Sequence, residues 1–65
     1  MVSLAGVVGF VQEFDCITSD IDTNKHIPVD GKLCGVEVEN GDILYNMENG
    51  DTYKYDKENK VWLMQ

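Results

Sequence analysis

Apolar and polar residues alternate most regularly in the C-terminal half of the chain. In segments 36–39 and 43–47 apolar side chains occupy every second position, a period that is typical of strands with one buried face. Asn40-Gly41 separates the two segments. Asn-Gly is the strongest short-range hairpin signal, because both central residues of a type I′ turn need a positive φ. The pattern therefore predicts an antiparallel hairpin that turns at Asn40 and Gly41.

The same logic continues to the end of the chain. A second Asn-Gly pair, Asn49 and Gly50, precedes the strand-like segment 52–55, and a polar stretch at 56–60 leads into the last apolar segment, 61–64. Tight turns between alternating segments connect neighbouring antiparallel strands. Residues 32–65 are therefore predicted to form a four-stranded antiparallel meander.

The N-terminal third is more apolar and less regular. Residues 1–11 contain eight apolar side chains, counting Ala5, and no charge, and the β-branched and aromatic residues of 7–17 favour one strand, or two strands broken near Gln12-Glu13. Residues 18–32 are rich in loop residues, with a tight turn expected at Asp30-Gly31. An exposed apolar strand invites association, so its own sheet, a neighbouring copy or a larger assembly must cover the segment.

These elements predict one all-β domain over residues 1–65. It is a small antiparallel meander of about five strands with Asn-Gly hairpins and an apolar N-terminal strand or arm at 1–11. A core of this size supplies roughly 3–5 kcal/mol at most, so such chains often rely on disulfides, metals or a partner. Cys16 and Cys34 do not have zinc-site spacing, and whether they pair is left open. A partner subunit is the favoured support.

Charge narrows the classes of partner. Twelve Asp and Glu against five Lys and Arg give a formal net charge of −7, which disfavours binding to nucleic-acid phosphates and to anionic lipid. The N-terminal apolar run is too short to span a bilayer and lacks the positive region of a signal peptide. The acidic residues either keep a small protein soluble or imitate nucleic acid, and both interpretations stay open.

No catalytic, cofactor or metal site is predicted. Asp20, Asp22 and Asn24 have the first oxygen spacings of a calcium loop, but the glycine and the bidentate glutamate that should follow are missing. His26 is the single histidine, and nothing in the spacing pairs it with Cys34 as base and nucleophile. The prediction is a protein without enzymatic activity.

Several C-terminal segments carry a family resemblance. Residues 41–46, 52–56 and 60–62 read Gly-Asp-Ile-Leu-Tyr-Asn, Thr-Tyr-Lys-Tyr-Asp and Lys-Val-Trp. This pattern resembles hairpins that recur in small structural proteins of tailed bacteriophages and prophages, especially those of low-GC Gram-positive hosts. Segments 14–20 and 27–32 extend the likeness to about residues 14–65, whereas Leu33 to Val36 and the apolar first ten residues depart from it.

The resemblance implies a non-enzymatic accessory protein of a virion. Such a protein is made in the host cytoplasm and binds capsid or tail subunits as a decoration, cement or fibre-anchoring component, as a homo-oligomer or assembly subunit. No cofactor, nucleic acid or membrane is expected as a partner. The predicted interface residues are Val7, Val8, Phe10, Tyr53, Tyr55 and Trp62. An acidic inhibitor of a host defence or repair enzyme is the alternative, and cross-strand packing is the competing role of the aromatic residues.

Overall fold

The computed structural model describes residues 1–65 and is mostly β. The strands are β1 (Ser3–Val8), β2 (Val11–Cys16), β3 (Lys32–Leu33), β4 (Val36–Glu37), β5 (Ile43–Asn46), β6 (Thr52–Asp56) and β7 (Val61–Met64), and one short helix, α1, spans Thr18–Asp22. The five residues of α1 are far too few for a membrane-spanning helix.

A five-stranded mixed sheet has the order β1-β2-β5-β6-β7, and β3 and β4 form a separate two-stranded sheet. Strand β2 pairs with β5 in parallel, with Phe14 opposite Leu44, whereas all other neighbours are antiparallel. The prediction of a β-rich chain is confirmed, but the prediction of a purely antiparallel meander is wrong. A parallel neighbour requires a long crossover, and residues 17–42, which contain α1, β3 and β4, provide it.

The hairpin predicted at Asn40 and Gly41 does not form. Strand β4 pairs with β3 and not with β5. Gly41 has φ +87° whereas Asn40 has no positive φ, and the N–H of Asp42 donates to the carbonyl of Glu39 at 3.1 Å. One positive φ at the third position is the pattern of a type II turn. Such a turn splays the flanking strands instead of pairing them.

The C-terminal part of the predicted meander is confirmed. Strands β5, β6 and β7 pair in sequence and antiparallel. Asn49 and Gly50 lie in the reversal between β5 and β6, as predicted. The turn is a longer loop, in which Gly50 alone has a positive φ and its N–H donates to the carbonyl of Asn46. Side-chain oxygens of Asn46 and Asn49 accept the backbone N–H groups of Glu48 and Asp51.

Residues 18–32 contain more structure than the predicted loop. Helix α1 begins after Ile17, and the carboxylate of Asp20 accepts the Ile17 N–H at 3.1 Å, as at a capped helix start. The predicted tight turn at Asp30-Gly31 is confirmed, since both residues have a positive φ, as a type I′ turn requires. Cys34 and Gly35 have the same pair of positive φ values between β3 and β4.

One face of the large sheet carries the core. Its central positions are Phe14, Leu44 and Tyr53, which lie opposite one another on three neighbouring strands. The crossover covers this face, because its side chains complete the cluster. The buried apolar residues are Val2, Phe14, Cys16, Leu33, Val38, Leu44 and Tyr55, with Ile21, Val36, Tyr53 and Trp62 packed against them. The opposite face of the sheet has no covering layer.

Candidate binding surface

The first two strands form an N-terminal hairpin, residues 3–16, whose end is the most exposed apolar surface of the molecule. Every residue of β1 is exposed. The exposed fraction is 58% for Val7, 83% for Val8 and 100% for Phe10. We call Val7, Val8, Phe10 and Val11 the hairpin tip. Exposed apolar groups that cluster in this way mark interaction sites more often than isolated ones do.

The turn of this hairpin is two residues long, Gly9 and Phe10, and Val8 pairs with Val11 across it. Gly9 has φ +62° and Phe10 has no positive φ, which is the pattern of a type II′ turn with glycine first. The strand break therefore falls at Gly9-Phe10 and not near Gln12-Glu13. A Gly-X pair between two β-branched runs was the sequence signal that identifies this turn.

A buried carboxylate holds the hairpin close to its turn. Asp42 is fully buried and accepts the backbone N–H of Gln12 at 3.0 Å, the Gln12 side-chain amide at 2.7 Å and the Glu39 N–H at 2.8 Å. The Gln12 amide also donates to the carbonyl of Glu37. Hydrogen bonds to a charged acceptor are stronger than neutral ones, so these contacts hold β2 against the segment before β5.

The beginning of the chain is held on the other side of the core. Val2 is buried in the core cluster, and its carbonyl accepts the thiol of Cys34 at 3.2 Å. The amino group of Met1 lies 3.0 Å from the carboxylate of Asp20. That contact and the hydrogen bond from the Ile17 N–H lower the pKa of Asp20. The chain is therefore held before β1 at Met1 and Val2 and within β2 at Gln12, and Val8, Phe10 and Val11 lie beyond Gln12 on the side of the turn.

The predicted aromatic interface residues lie elsewhere. Tyr55 is buried in the core, which corrects its assignment to an interface. Its ring lies 4.8 Å from that of Trp62, which also contacts Phe14 edge-on at 6.3 Å. The indole N–H of Trp62 donates to the carbonyl of His26 at 2.9 Å. Tyr53 is half-buried, and burial is the main cause that raises its pKa. The structure does not bring these side chains to the hairpin tip.

An open cavity of about 530 Å³ lies between the loop around Pro28 and the turn that connects β6 and β7. Val38 and Tyr55 contribute to its lining. Lys57, at its edge, lies 3.1 Å from Glu39 and 3.4 Å from Glu37. These contacts, with the Glu39 hydrogen bond as the largest cause, raise the pKa of Lys57. The charge of this lysine is thus already compensated within the chain.

The nucleophilic and metal-binding side chains do not converge. Cys16 is buried, Cys34 is exposed, and they form no disulfide. Desolvation of the sulfur atom is the main cause that raises the pKa of each thiol, including that of Cys34, whose sulfur is part-buried although the residue as a whole is exposed. The Nδ1 atom of His26 is buried and has no hydrogen-bond partner. No three His, Cys, Asp or Glu side chains are grouped as a metal site.

Comparison with protein-family models, with curated protein sequences and with solved structures found no match to this chain.

Proposed function

We propose that this protein is a non-enzymatic binding subunit of a larger protein assembly and that it docks through the hairpin tip. The observation that carries this proposal is the full exposure of Phe10 next to Val8, in a segment of eleven residues without a charge. Aromatic side chains are the commonest anchors of protein interfaces. Phe10 contributes nothing to the core of this chain, so burial against a partner gives its side chain an energetic role.

The anchoring of the hairpin supports the same proposal. Ordering a flexible segment on binding costs conformational entropy. Here the two-residue turn and the Asp42 contacts with Gln12 define the hairpin before any partner arrives. A preformed apolar projection of this kind needs little reorganisation when it enters a cleft.

The assembly that we propose is the particle of a tailed bacteriophage, with capsid or tail subunits as partners. The support for this choice is the resemblance of the Tyr- and Trp-containing hairpin segments 41–46, 52–56 and 60–62 to small phage structural proteins. In this proposal the chain is a decoration, cement or accessory component that is made in the host cytoplasm and retained in the virion.

Particle incorporation tests the proposal. Val8→Asp places a charge on the hairpin tip, and Val29→Asp places the same charge on a comparably exposed valine, 74% against 83%, in the crossover loop. We expect purified particles to lose the Val8→Asp protein and to retain the Val29→Asp protein, as measured by quantitative mass spectrometry. Equal incorporation of both variants would exclude the hairpin tip as the docking surface.

The acidic surface favours a second candidate function, the inhibition of a basic nucleic-acid-binding enzyme of the host. Of the twelve Asp and Glu residues only Asp20 and Asp42 are buried, so ten carboxylates lie at least partly at the surface. Such an inhibitor occupies a positively charged channel, and salt weakens its binding. A complex with a basic nuclease that dissociates with added salt and survives Val8→Asp would favour this candidate over the first.

A further inference from the structure

The large sheet has two open edges, β1 on one side and β7 on the other. We propose that β1 of one molecule pairs with β7 of a second copy, so that the sheet continues from subunit to subunit. This inference builds on the proposed assembly role, since it names the neighbouring partner of β1. Phe10 and Val11 of the hairpin tip remain available for a different protein, because they lie beyond the end of β1, whereas Val7 and Val8 belong to its edge.

Both edges present unused backbone groups. The N–H of Gln65 donates to the carbonyl of Thr52, toward β6. Because these directions alternate along an antiparallel strand, the N–H groups of Trp62 and Met64 point away from β6. In the N-terminal hairpin Val8 and Val11 flank a two-residue turn, and the N–H of Gln12 points to Asp42. By the same alternation the N–H of Val7, opposite Gln12, points away from the sheet.

Side chains that edge strands use against association are scarce on these two strands. Charged residues and proline usually protect a sheet edge. Neither β1 nor β7 contains one, and the exposed residues include Val7 and Val8 on β1 and Leu63 and Met64 on β7. A bulge between Leu4 and Gly6 is the one protective feature of β1, and it leaves the segment from Gly6 to Val8 available.

Charge disfavours a contact between two β1 edges. Next to β1, strand β2 carries Glu13 and Asp15 and no cation. Next to β7, strand β6 carries Lys54 and Asp56, and Lys60 directly precedes β7, so this edge has mixed charge with two lysines and one carboxylate. Pairing β1 with β1 would bring two acidic β2 strands toward each other, whereas pairing β1 with β7 brings one acidic strand toward the edge that includes Lys54 and Lys60. Neighbouring strands lie about 4.8 Å apart, so the charged side chains on β2 and β6 are separated by the two edge strands. Their attraction therefore favours the pairing of β1 with β7 without forming a salt bridge.

A head-to-tail contact of this kind closes into a ring or continues as a filament. The contact is short, since β7 has four residues, and each backbone hydrogen bond contributes only about 1 kcal/mol net. We therefore expect weak, concentration-dependent association in solution. On a particle the subunits are held at high effective concentration, so the same contact becomes largely occupied.

Two edge-blocked variants test the pairing. Val7→Pro removes the outward N–H of β1, and Met64→Pro removes an outward N–H of β7. Sedimentation velocity should show that wild-type protein grows in mass with concentration and that each variant alone stays a monomer. An equimolar mixture should form a dimer and nothing larger, because one open edge of each kind remains. Circular dichroism shows whether the two proline variants fold. If either one does not fold, Val7→Lys and Met64→Lys take the place of the two proline variants.

The other outcomes overturn the pairing in distinguishable ways. A Met64→Pro protein that self-associates like the wild type would assign the contact to two β1 strands, and the corresponding behaviour of Val7→Pro would assign it to two β7 strands. A wild-type protein that stays monomeric at every concentration would remove the edge contact altogether. In that last case, loss of particle incorporation by Val8→Asp would still support the proposed docking function, so the two proposals can fail separately.

Discussion

Asp42 shows how much one side chain contributes to this small fold. It is fully buried, and its two oxygens accept three N–H donors from Gln12 and Glu39. Burying a carboxylate is costly unless its hydrogen-bonding capacity is used. Here that capacity joins β2 to the turn that precedes β5, a connection between parts of the chain thirty residues apart.

Replacing this carboxylate should therefore destabilise the whole domain. Asp42→Ala leaves the Gln12 and Glu39 donors without an acceptor, and we expect the free energy of unfolding to fall by about 2–4 kcal/mol. Urea denaturation followed by tryptophan fluorescence measures the loss. Asp22→Ala, at an exposed carboxylate, is the matched control and should change stability by less than about 0.5 kcal/mol. Similar losses in both variants would contradict this role of Asp42.

Asp56 gives a prediction about pH. The side-chain amide of Asn59 donates to its carboxylate at 2.8 Å, and the Asn59 backbone N–H donates at 3.2 Å; these contacts lower the Asp56 pKa. A lowered folded-state pKa gives stability that is present above the unfolded pKa, about 3.9. That stability is lost as the pH falls through the folded-state pKa.

Asn59→Ala removes the larger of these two contacts. We expect the pKa of Asp56 to rise toward its ordinary value. Protonation of Asp56 at low pH should then lower the free energy of unfolding by a smaller amount. Titration of the Asp56 carboxyl carbon by NMR measures the pKa directly. Asn49→Ala, in the loop between β5 and β6, should leave it unchanged, and an unshifted pKa in Asn59→Ala would contradict the assignment.

At the scale of elements, the turns decide which strands become neighbours. A pair of positive φ values closes the tight turns at Asp30-Gly31 and Cys34-Gly35, and a single one at Gly9 closes the N-terminal hairpin. Around Gly41 the single positive φ belongs to a turn that separates β4 from β5. Turn geometry, and not the mere presence of Asn-Gly, therefore determines pairing.

The N-terminal hairpin offers a direct test of this view. Gly9 and Gly6 both have space for a Cβ atom, since no atom lies within 4 Å of one built there, but only Gly9 has a positive φ. We expect Gly9→Ala to lower the free energy of unfolding by about 1–2 kcal/mol through backbone strain. Gly6→Ala should be neutral or stabilise by up to about 1 kcal/mol. Thermal denaturation of both variants measures the two changes in stability. Equal changes in Gly9→Ala and Gly6→Ala would rule out strain at Gly9.

At the scale of the whole molecule, a thin core must stabilise 65 residues. Only seven apolar residues form the buried cluster, and they lie on one face of the large sheet. Phe14 and Leu44 are fully buried at its centre, where the parallel strands β2 and β5 meet. A domain of this size has a total stability of roughly 3–5 kcal/mol. Truncating one large core side chain can therefore remove most of the free energy of unfolding.

The two phenylalanines have different expected roles, Phe14 in core packing and Phe10 in docking. Phe14→Ala should cost about 3–5 kcal/mol and leave the protein largely unfolded at 25 °C, because Phe14 is 0% exposed. Phe10→Ala should change stability by less than about 0.5 kcal/mol, because Phe10 is 100% exposed. Circular dichroism and NMR line shapes distinguish the two. A large loss in Phe10→Ala would show that its side chain packs within the fold.

Local chemistry made part of this structure predictable from the amino-acid sequence. The period of two in segments 43–47 and 52–55 and the apolar segment 61–64 predicted three strands, and Asn49-Gly50 and the polar stretch 56–60 predicted their reversals. The uncharged segment 1–11 indicated an apolar strand in need of cover, and the structure shows β1 at an open edge. These features depend on backbone φ preferences and on which face of a strand is apolar, and neighbouring residues specify both.

Tertiary structure alone decided the partner of each strand. Segment 36–39 alternates as well as 43–47 does, yet β5 pairs with β2 in parallel, because this arrangement buries Phe14 beside Leu44 under the crossover. Likewise Tyr55 and Trp62 could pack inward or anchor a partner, and contacts with residues distant in sequence placed them in and against the core. Period and turn residues define the faces and ends of a strand, but the choice among possible neighbours depends on the apolar surface that the whole chain buries.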